Sequence, residues 1–290
     1  MLIGADNMTE LRKLQLIELD ILKQVVELCR RHGLRFYLLG GTFLGAVRHK
    51  GFIPWDDDID IGMPRADFER FAELAPTELA APLGYESFKH NTEHIYYHAK
   101  VYNYNSRVID RSGVNPKETY AWIDICPLDG MPGNALVRKV YGWYLLFLRF
   151  LFVYSQFDKI VAVSVKKRVW YEQMLVNIGK VIKFDKILNT KKIMYKIDRT
   201  LRHLDYETSS YVGNFMGAYR MKEVFPKSFY DEVEEYSFEG ELFPAPKKYD
   251  AVLTQMYGDY MTPPKEDVRN KHYTEVIEAE IKKDAVAKAE

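Results

Sequence analysis

The sequence predicts an α+β fold in which a mixed β-sheet is flanked by helices, and three observations support this class. An amphipathic helix pattern opens the chain at residues 9–31. Runs rich in strand-forming residues follow at 35–39, 95–108 and 120–127. A mainly helical stretch at 135–205 then separates these strands from later ones, and we interpret it as a helical insertion.

Length and composition are typical of one globular unit. The chain has 290 residues, of which 47% are hydrophobic, and we find neither an internal repeat nor a low-complexity linker. We therefore expect a single domain over 1–290. Lys plus Arg and Asp plus Glu both total 41, so the net charge is zero and nothing global favours nucleic acid as a partner.

Cysteine usage and the N-terminus favour a reducing compartment. Cys29 and Cys126 are the only cysteines, and they form no CxxC pair, so neither a structural zinc site nor a disulfide framework is indicated. The opening MLIGADNMTELRK lacks the apolar core of a signal peptide. We expect a cytoplasmic protein.

A strand, a glycine turn and a helix follow the first helix. The apolar run 35–39 ends at Gly40 and Gly41, and Thr42 to Arg48 has a helical pattern. Such a turn lets backbone N–H groups approach a phosphate, and the helix N-terminus and the Thr42 hydroxyl add donors. Most Gly-Gly pairs are only turns, so this prediction depends on the acids that come next.

Basic residues lie between this helix and the acids. Arg48, His49 and Lys50 are either a solvated loop or partners for diphosphate oxygens, and we expect Arg48 and Lys50 to bind phosphate. Trp55 is either a packing residue or a lid on a nucleotide or a cationic head group.

Four aspartates stand within residues 56–60, and Asp58 and Asp60 alternate with Ile59 and Ile61. In an extended segment Asp58 and Asp60 point to the same side, where two carboxylates repel each other and favour a cation. Mg²⁺ suits this pair, with Mn²⁺ as an alternative, because it takes one or two carboxylates and completes its shell with water and phosphates. A solvated acidic turn is the competing interpretation.

A third acid is expected from a later strand. Asp124 lies between Ile123 and Ile125 in YAWIDICP, and we place it at the same site, although a lone strand Asp is often an edge charge. Asp129 and Gly130 are predicted to form a turn. His94 and His98 are four residues apart, but the strand-rich composition around them argues against metal ligation.

Helical and strand patterns continue to the C-terminus. We predict a helix at 64–75 ended by Pro76, strands at 211–219 and 238–243, and a helix at 247–257. Residues 140–157 are the most apolar run and are followed by Lys166, Lys167 and Arg168. They form either a core helix or, over 140–168, a helix at a membrane surface. Arg269 and His272 are predicted to reach back toward phosphate.

Three blocks of the sequence resemble the LicD family, which includes the fukutin-related proteins. They are GGTFLGAVRHKGFIPWDDDIDIGMPRADFERF, WIDICPLDG and PKKYDAVLTQMYGDYMTPP. The resemblance implies a nucleotidyltransferase-like fold and transfer of phosphocholine or a related phospho-alcohol from a CDP-linked donor such as CDP-choline. The implied acceptor is a cell-surface glycan, free or lipid-linked, as in teichoic acid or lipopolysaccharide biosynthesis. It also implies that Gly40 and Gly41 form the glycine turn, that Asp58 and Asp60 bind metal, and that Asp124 is the third carboxylate.

The residues leave several functions open. Asp124 either completes the metal site or accepts the proton of the attacking hydroxyl. Transfer of the nucleotide itself, a D-x-D sugar transferase and a non-catalytic protein of the same fold are alternatives. We expect a cytoplasmic location. If the acceptor is lipid-linked, we expect the protein at the inner face of the membrane.

Overall fold

A computed structural model describes residues 8–91, 93–111, 116–156, 187–266, 269 and 274–279. Its helices are α1 (Glu10–His32), α2 (Gly40–Arg48), α3 (Arg65–Glu78), α4 (Ala135–Ser155), α5 (Thr190–Leu201), α6 (Ser228–Asp231) and α7 (Tyr249–Tyr257), with a 3₁₀-helix at Arg220–Glu223. Its strands are β1 (Tyr37–Leu38), β2 (Asp60–Pro64), β3 (Leu83–Glu86), β4 (Ala99–Asp110), β5 (Lys117–Met131), β6 (Tyr211–Gly213), β7 (Val224–Pro226), β8 (Val233–Phe238), β9 (Glu241–Pro246) and β10 (Thr274–Ala279).

The strands form a mixed sheet, as predicted, with helices packed against it. Its main order is β1-β2-β5-β4-β10, β3 pairs with β4, and β6 joins the end of β5 to β7. The β2–β5 pair is parallel, and every other strand pairing that the structure describes is antiparallel. β8 and β9 form a separate hairpin.

The first helix forms where its sequence pattern predicts it. Thr9 caps α1 by accepting a hydrogen bond from the backbone N–H of Arg12 at 3.2 Å, and Gly33 ends the helix with a left-handed φ of 64°. Its apolar stripe, including Ile21 and Val25, is buried against β4 and β5. Cys29 is buried in the same stripe, which agrees with a core role.

Two predictions made from local signals are wrong, one at Pro76 and one at Asp129 and Gly130. Pro76 does not end α3 but lies in its last turn, and Leu79 still donates to the Ala75 carbonyl at 3.2 Å. Asp129 and Gly130 do not form a turn, because β6 pairs with them and extends β5 to Met131.

The predicted strand 238–243 is a hairpin turn with strand on both sides. Glu239 and Gly240, at its centre, have φ values of 52° and 77°, and they join β8 to β9. Two consecutive positive φ values produce the tight turn whose twist matches an antiparallel pair.

A buried ion-pair network connects the sheet to α5. Arg65, at the start of α3, donates to both carboxylate oxygens of Asp129 at 2.7 Å and to Asp198 on α5 at 3.2 Å. The Tyr97 hydroxyl accepts a further bond from Arg65 at 3.1 Å. Asp129 and Asp198 are buried, so the guanidinium compensates charges that water does not reach.

Within the predicted insertion the structure describes two helices, α4 and α5. α4 and α5 pack against each other, and a second hydrophobic cluster joins Leu145 and Leu148 to Ile197 and Phe215. Residues 157–186 lie outside the described part of the chain, so the insertion at 135–205 and the single domain over 1–290 remain predictions.

None of the helices in the described ranges has the length and apolar character needed to cross a bilayer. The predicted membrane-surface segment 140–168 is only partly described, because 157–168 fall outside those ranges. The cytoplasmic location is still a prediction.

Candidate active site

A cleft of about 700 Å³ opens where the start of α2 meets the acids of β2 and β5. Gly40, Gly41, Arg48, Asp58, Asp60 and Asp124 all line it, so six of the eight predicted site residues surround one space. Ile59, Ile61, Ile123 and Ile125 alternate with these acids and are fully buried in the main core. The acids therefore project from the opposite face of the sheet.

The parallel pairing of β2 and β5 brings Asp60 and Asp124 together. The two residues are direct partners in the register, and the backbone N–H of Asp124 donates to the Ile59 carbonyl at 2.8 Å. The N–H of Asp60 donates to Thr42 Oγ1 at 2.9 Å. Thr42 is buried and does not line the cleft, so this contact positions Asp60, and direct binding of phosphate by Thr42 remains a prediction.

The four aspartates separate by side. Asp56 lines the cleft with Asp58 and Asp60, whereas Asp57 is buried and accepts a bond from the Thr274 hydroxyl of β10 at 2.8 Å. The strand itself starts at Asp60, so Asp58 lies just before it rather than within it. Asp56 was missed as a cleft residue, although its even spacing with Asp58 and Asp60 was a usable signal.

The two glycines are the first residues of α2 itself. Gly40 has a φ of 52°, and a Cβ there would lie 3.2 Å from Asp60 Oδ2. A Cβ on Gly41 would lie 2.5 Å from Asp56 Oδ2, closer than real contacts allow. The absence of side chains thus lets the N-terminus of α2, where a helix has N–H groups without intrahelical partners, lie directly against two of the carboxylates that line the cleft.

Asp124 is held by residues that the sequence analysis did not assign to the site. Lys100 is 4% exposed, and its Nζ lies 3.3 Å from Asp124 Oδ1 and 3.9 Å from the ring centre of Trp122. His98 lines the cleft, stacks on Tyr96, and places Nε2 at 3.4 Å from Asp124 Oδ2. The Asp124 carboxylate therefore sits between a buried ammonium and an imidazole.

The two basic residues predicted to bind phosphate lie in different places relative to the cleft. Arg48 lines the cleft and donates to the Tyr260 carbonyl. Lys50 is exposed, has a left-handed φ of 61°, and is not among the lining residues. The structure therefore brings Arg48 to the acids but not Lys50, whose role in phosphate binding stays a prediction.

A second arginine enters the cleft from the most apolar helix. Arg149 of α4 lines the cleft and donates to the carbonyls of Met216 and Gly217. It forms no ion pair with a carboxylate in the described ranges. Burial and the nearby Arg220 lower its pKa to about 10, so it remains a cation at neutral pH. A lone charge inside an apolar run was the sequence signal that could have identified it.

The cleft acids disfavour one another's ionised forms. Burial raises the pKa of Asp60 well above its usual value, and repulsion from Asp58 and Asp124 adds to this. Burial, followed by repulsion from Asp58, raises the pKa of Asp56 to about 8. Burial also raises the pKa of Glu223, another lining residue, to about 7. Such a group of acids would be stabilised by a bound cation.

Mg²⁺ fits the donors that the cleft offers. Carboxylate oxygens are the ligands that this ion prefers, and Asp58 and Asp60 would hold it. Within the described ranges, no three His, Cys, Asp or Glu side chains form a ready set of metal ligands. Since Mg²⁺ needs only one or two carboxylates when phosphates and waters complete its shell, two acids are enough. Metal binding, by Asp124 as well as by this pair, remains a prediction.

Trp55 and Arg269 meet at the edge of the cleft. The Arg269 guanidinium lies 4.2 Å from the centre of the Trp55 ring, and its Nε donates to the Pro264 carbonyl. Trp55 and Pro264 both line the cleft. Arg269 thus lies next to a residue of the cleft, its reach toward phosphate stays a prediction, and His272 lies outside the described residues.

Comparison with known proteins identifies similar sequences. A family model described as LicD/FKTN/FKRP, nucleotidyltransferase domain, matches residues 33–129. Lipopolysaccharide cholinephosphotransferase LicD from Haemophilus influenzae is 31% identical over 275 residues, which cover 91% of this chain and 97% of that protein. Ribitol 5-phosphate transferase FKRP from Homo sapiens is 28% identical over 149 residues, 45% of this chain and 30% of that protein. An uncharacterised protein from Rickettsia typhi is 40% identical over 72 residues, 25% of this chain and 22% of that protein.

These matches include the cleft. The range 33–129 contains Gly40 and Gly41, which begin α2, and the acids Asp58, Asp60 and Asp124. The similarity to the Haemophilus protein covers nearly the whole length of both proteins, so it includes the later helices and strands of this chain. The chain therefore belongs to the LicD family and is a LicD-type phosphotransferase.

Proposed function

We propose that this protein transfers phosphocholine, or a related phospho-alcohol, from a CDP-linked donor to a hydroxyl of a free or lipid-linked cell-surface glycan, with release of CMP. One observation carries the proposal: Asp58, Asp60, Asp124 and the N-terminus of α2 line a single cleft of about 700 Å³. The names of the cholinephosphotransferase and ribitol phosphate transferase relatives support the class of group transferred.

The proposed reaction breaks a phosphoanhydride bond of the donor and forms a phosphate ester bond to the acceptor. The glycan hydroxyl oxygen bonds to the phosphorus that carries the alcohol, and the bond from this phosphorus to the oxygen bridging to CMP breaks. CMP leaves with the bonding electron pair, and the hydroxyl loses its proton. Such transfers depend mainly on positioning and on stabilising charge.

Different cleft residues have different roles in this proposed reaction. Asp124 either accepts the hydroxyl proton, with His98 beside it at 3.4 Å, or completes the cation site. The α2 N-terminus, Arg48 and Arg149 bind phosphate oxygens in this proposal, since each lines the cleft and carries N–H donors. Mg²⁺ held by Asp58 and Asp60 would neutralise charge on the diphosphate.

A donor panel tests the proposal. Thermal unfolding is followed with CDP-choline, CDP-glycerol and CDP-ribitol, each with and without Mg²⁺, and turnover is followed by release of CMP. We expect one donor to raise Tm in a Mg²⁺-dependent manner, because a ligand that binds the native state stabilises it by mass action. Asp58→Asn and Asp60→Asn should lower turnover by roughly 100-fold or more while the fold survives. Near-normal turnover in either variant would contradict the metal assignment.

Nucleotide transfer is the second candidate, and the family model's description as a nucleotidyltransferase domain favours keeping it. The products separate the two reactions. Free CMP with a phospho-alcohol on the acceptor supports the proposal, whereas an acceptor that carries the nucleotide contradicts it.

A further inference from the structure

The outer face of α4 is apolar and exposed. The exposed fractions are 72% for Leu136, 55% for Val137, 62% for Val140, 66% for Trp143, 39% for Tyr144, 55% for Phe147 and 36% for Phe150. These positions recur every three or four residues, so they share one side of the helix over about 21 Å. Continuous apolar faces of this kind usually mark a binding surface.

The opposite side of the same helix is already occupied. Leu145, Leu148 and Phe152 are buried in a cluster that includes Met194 and Ile197 of α5. The packing of α4 onto the protein therefore does not require the outer residues.

The inner side of α4 also contributes to the active site. Arg149 lines the cleft from this helix, so only the width of one helix, about 10 Å, separates the outer apolar face from the cleft. Anything bound to the outer face lies next to the catalytic space.

The two helices on this side of the protein carry mainly positive charge. α4 contains no acidic residue, and its Lys139 is exposed beside the outer face, whereas Arg149 lines the cleft and Arg138 lies over the Tyr211 ring. α5, which packs against it, has four basic residues and one acid, and that acid, Asp198, is buried in ion pairs with Arg65 and Lys89. In a protein of zero net charge this is a local excess of positive charge.

We propose that the outer face of α4 docks on an anionic lipid bilayer. Its Trp, Tyr and Phe side chains enter the headgroup region, and the nearby basic residues face anionic phosphates. A second copy of the chain fits less well, because a symmetric contact through this face would bring two sets of basic residues together. The proposal deepens the proposed function by making the acceptor lipid-linked, and in that respect it rests on that function.

Vesicle flotation of the full chain tests the docking without any substrate. We expect binding to vesicles of phosphatidylcholine with phosphatidylglycerol, weaker binding to phosphatidylcholine alone, and further weakening at high salt. The double variant Trp143→Glu/Phe147→Glu should partition at least about tenfold less, since it places two charges in the apolar face. Its far-UV circular dichroism and Tm should match the wild type, because both side chains are exposed.

A matched control and three outcomes make the test decisive. Leu242 of β9 is 54% exposed and lies outside this face, so Leu242→Glu should bind vesicles like the wild type. No binding of the wild type to either vesicle overturns the proposal. Equal binding by the double variant also overturns it. A dimer in sedimentation analysis that the double variant dissociates, without vesicle binding, assigns the face to a second copy instead.

Turnover of CDP-linked donors tests the proposed function separately from docking. If no CDP-linked donor turns over while docking holds, the reaction is wrong and the surface remains. If docking fails while CMP is released with a soluble acceptor, the surface is wrong and the reaction remains.

Discussion

At the scale of single residues, the alternation of side chains between the two sides of an extended segment decides where each acid lies. Asp56, Asp58 and Asp60 face the cleft, while Asp57 turns to the buried side and contacts Thr274. The same alternation sets Asp124 apart from Ile123 and Ile125 on the neighbouring strand. The alternation thus separates Asp57 from the three neighbouring acids that face the cleft.

Gly41→Ala tests the contact between α2 and the acids. The added Cβ would lie 2.5 Å from Asp56 Oδ2, so that carboxylate must move. We expect turnover to fall by roughly 10- to 100-fold, because small displacements of catalytic groups cost that much, with little change in Tm. Steady-state kinetics and thermal unfolding measure the two effects.

Gly240→Ala is the matched control for Gly41. Gly240 has a φ of 77° and open space around it, and it lies in the β8–β9 turn. Alanine there should lower the free energy of unfolding by about 1 kcal/mol without affecting turnover. The reverse pattern in the two variants would contradict our assignment of Gly41 to the site.

His94 predicts a pH dependence of stability. Burial lowers its pKa to about 4, and its ring bonds to the His98 carbonyl at 2.8 Å. In the unfolded chain the His94 imidazole binds a proton near pH 6.5, whereas in the folded chain it stays neutral down to about pH 4. The contribution of neutral His94 to stability is therefore complete above about pH 6.5. This contribution, up to about 3 kcal/mol, is lost as the pH falls from about 6.5 to about 4.

Urea unfolding of the wild type and His94→Gln across this range measures the effect. We expect the variant to lose less stability than the wild type as the pH falls. His203→Gln, at an exposed position, controls for the removal of one histidine. Identical pH profiles in wild type and His94→Gln would show that His94 is not the group responsible.

At the scale of elements, the Arg65 network attaches α5 to the sheet. Removing the guanidinium in Arg65→Met leaves Asp129 and Asp198 buried with less compensation. We expect a loss of about 3–5 kcal/mol in the free energy of unfolding, measured by urea denaturation.

Arg70→Met on the same helix is the control. Arg70 pairs with Glu73 at the surface, where its side chain is 56% exposed, so its loss should change stability by about 0.5 kcal/mol or less. Equal effects of the two variants would contradict the view that burial makes the Arg65 network important.

At the scale of the whole molecule, the excess of cleft acids predicts that Mg²⁺ stabilises the native state. At a concentration about 100 times its Kd, the ion should add about 2.7 kcal/mol and raise Tm. Asp58→Asn and Asp60→Asn should reduce this gain. The measurement compares Mg²⁺ with NaCl at matched ionic strength, and an equal response to both salts would exclude a specific site.

Local patterns in the sequence were enough for much of the fold and part of the site. Helix α1 was predictable from its stripe and caps, and β5 from its apolar residues, because these signals act over a few neighbouring positions. The hairpin at Glu239 and Gly240 was not, since a non-glycine residue with positive φ has no clear local signature.

The sequence by itself determined the family, the acid-rich segment and the side on which Asp58 and Asp60 lie. Sequence motifs and the alternation of side chains along an extended segment depend only on neighbouring residues. Only the tertiary structure decided that Asp60 pairs with Asp124, that Lys100 and His98 flank Asp124, and that Arg149 reaches the cleft. These contacts join residues far apart in the chain, and strand register and helix packing, rather than local spacing, bring them together.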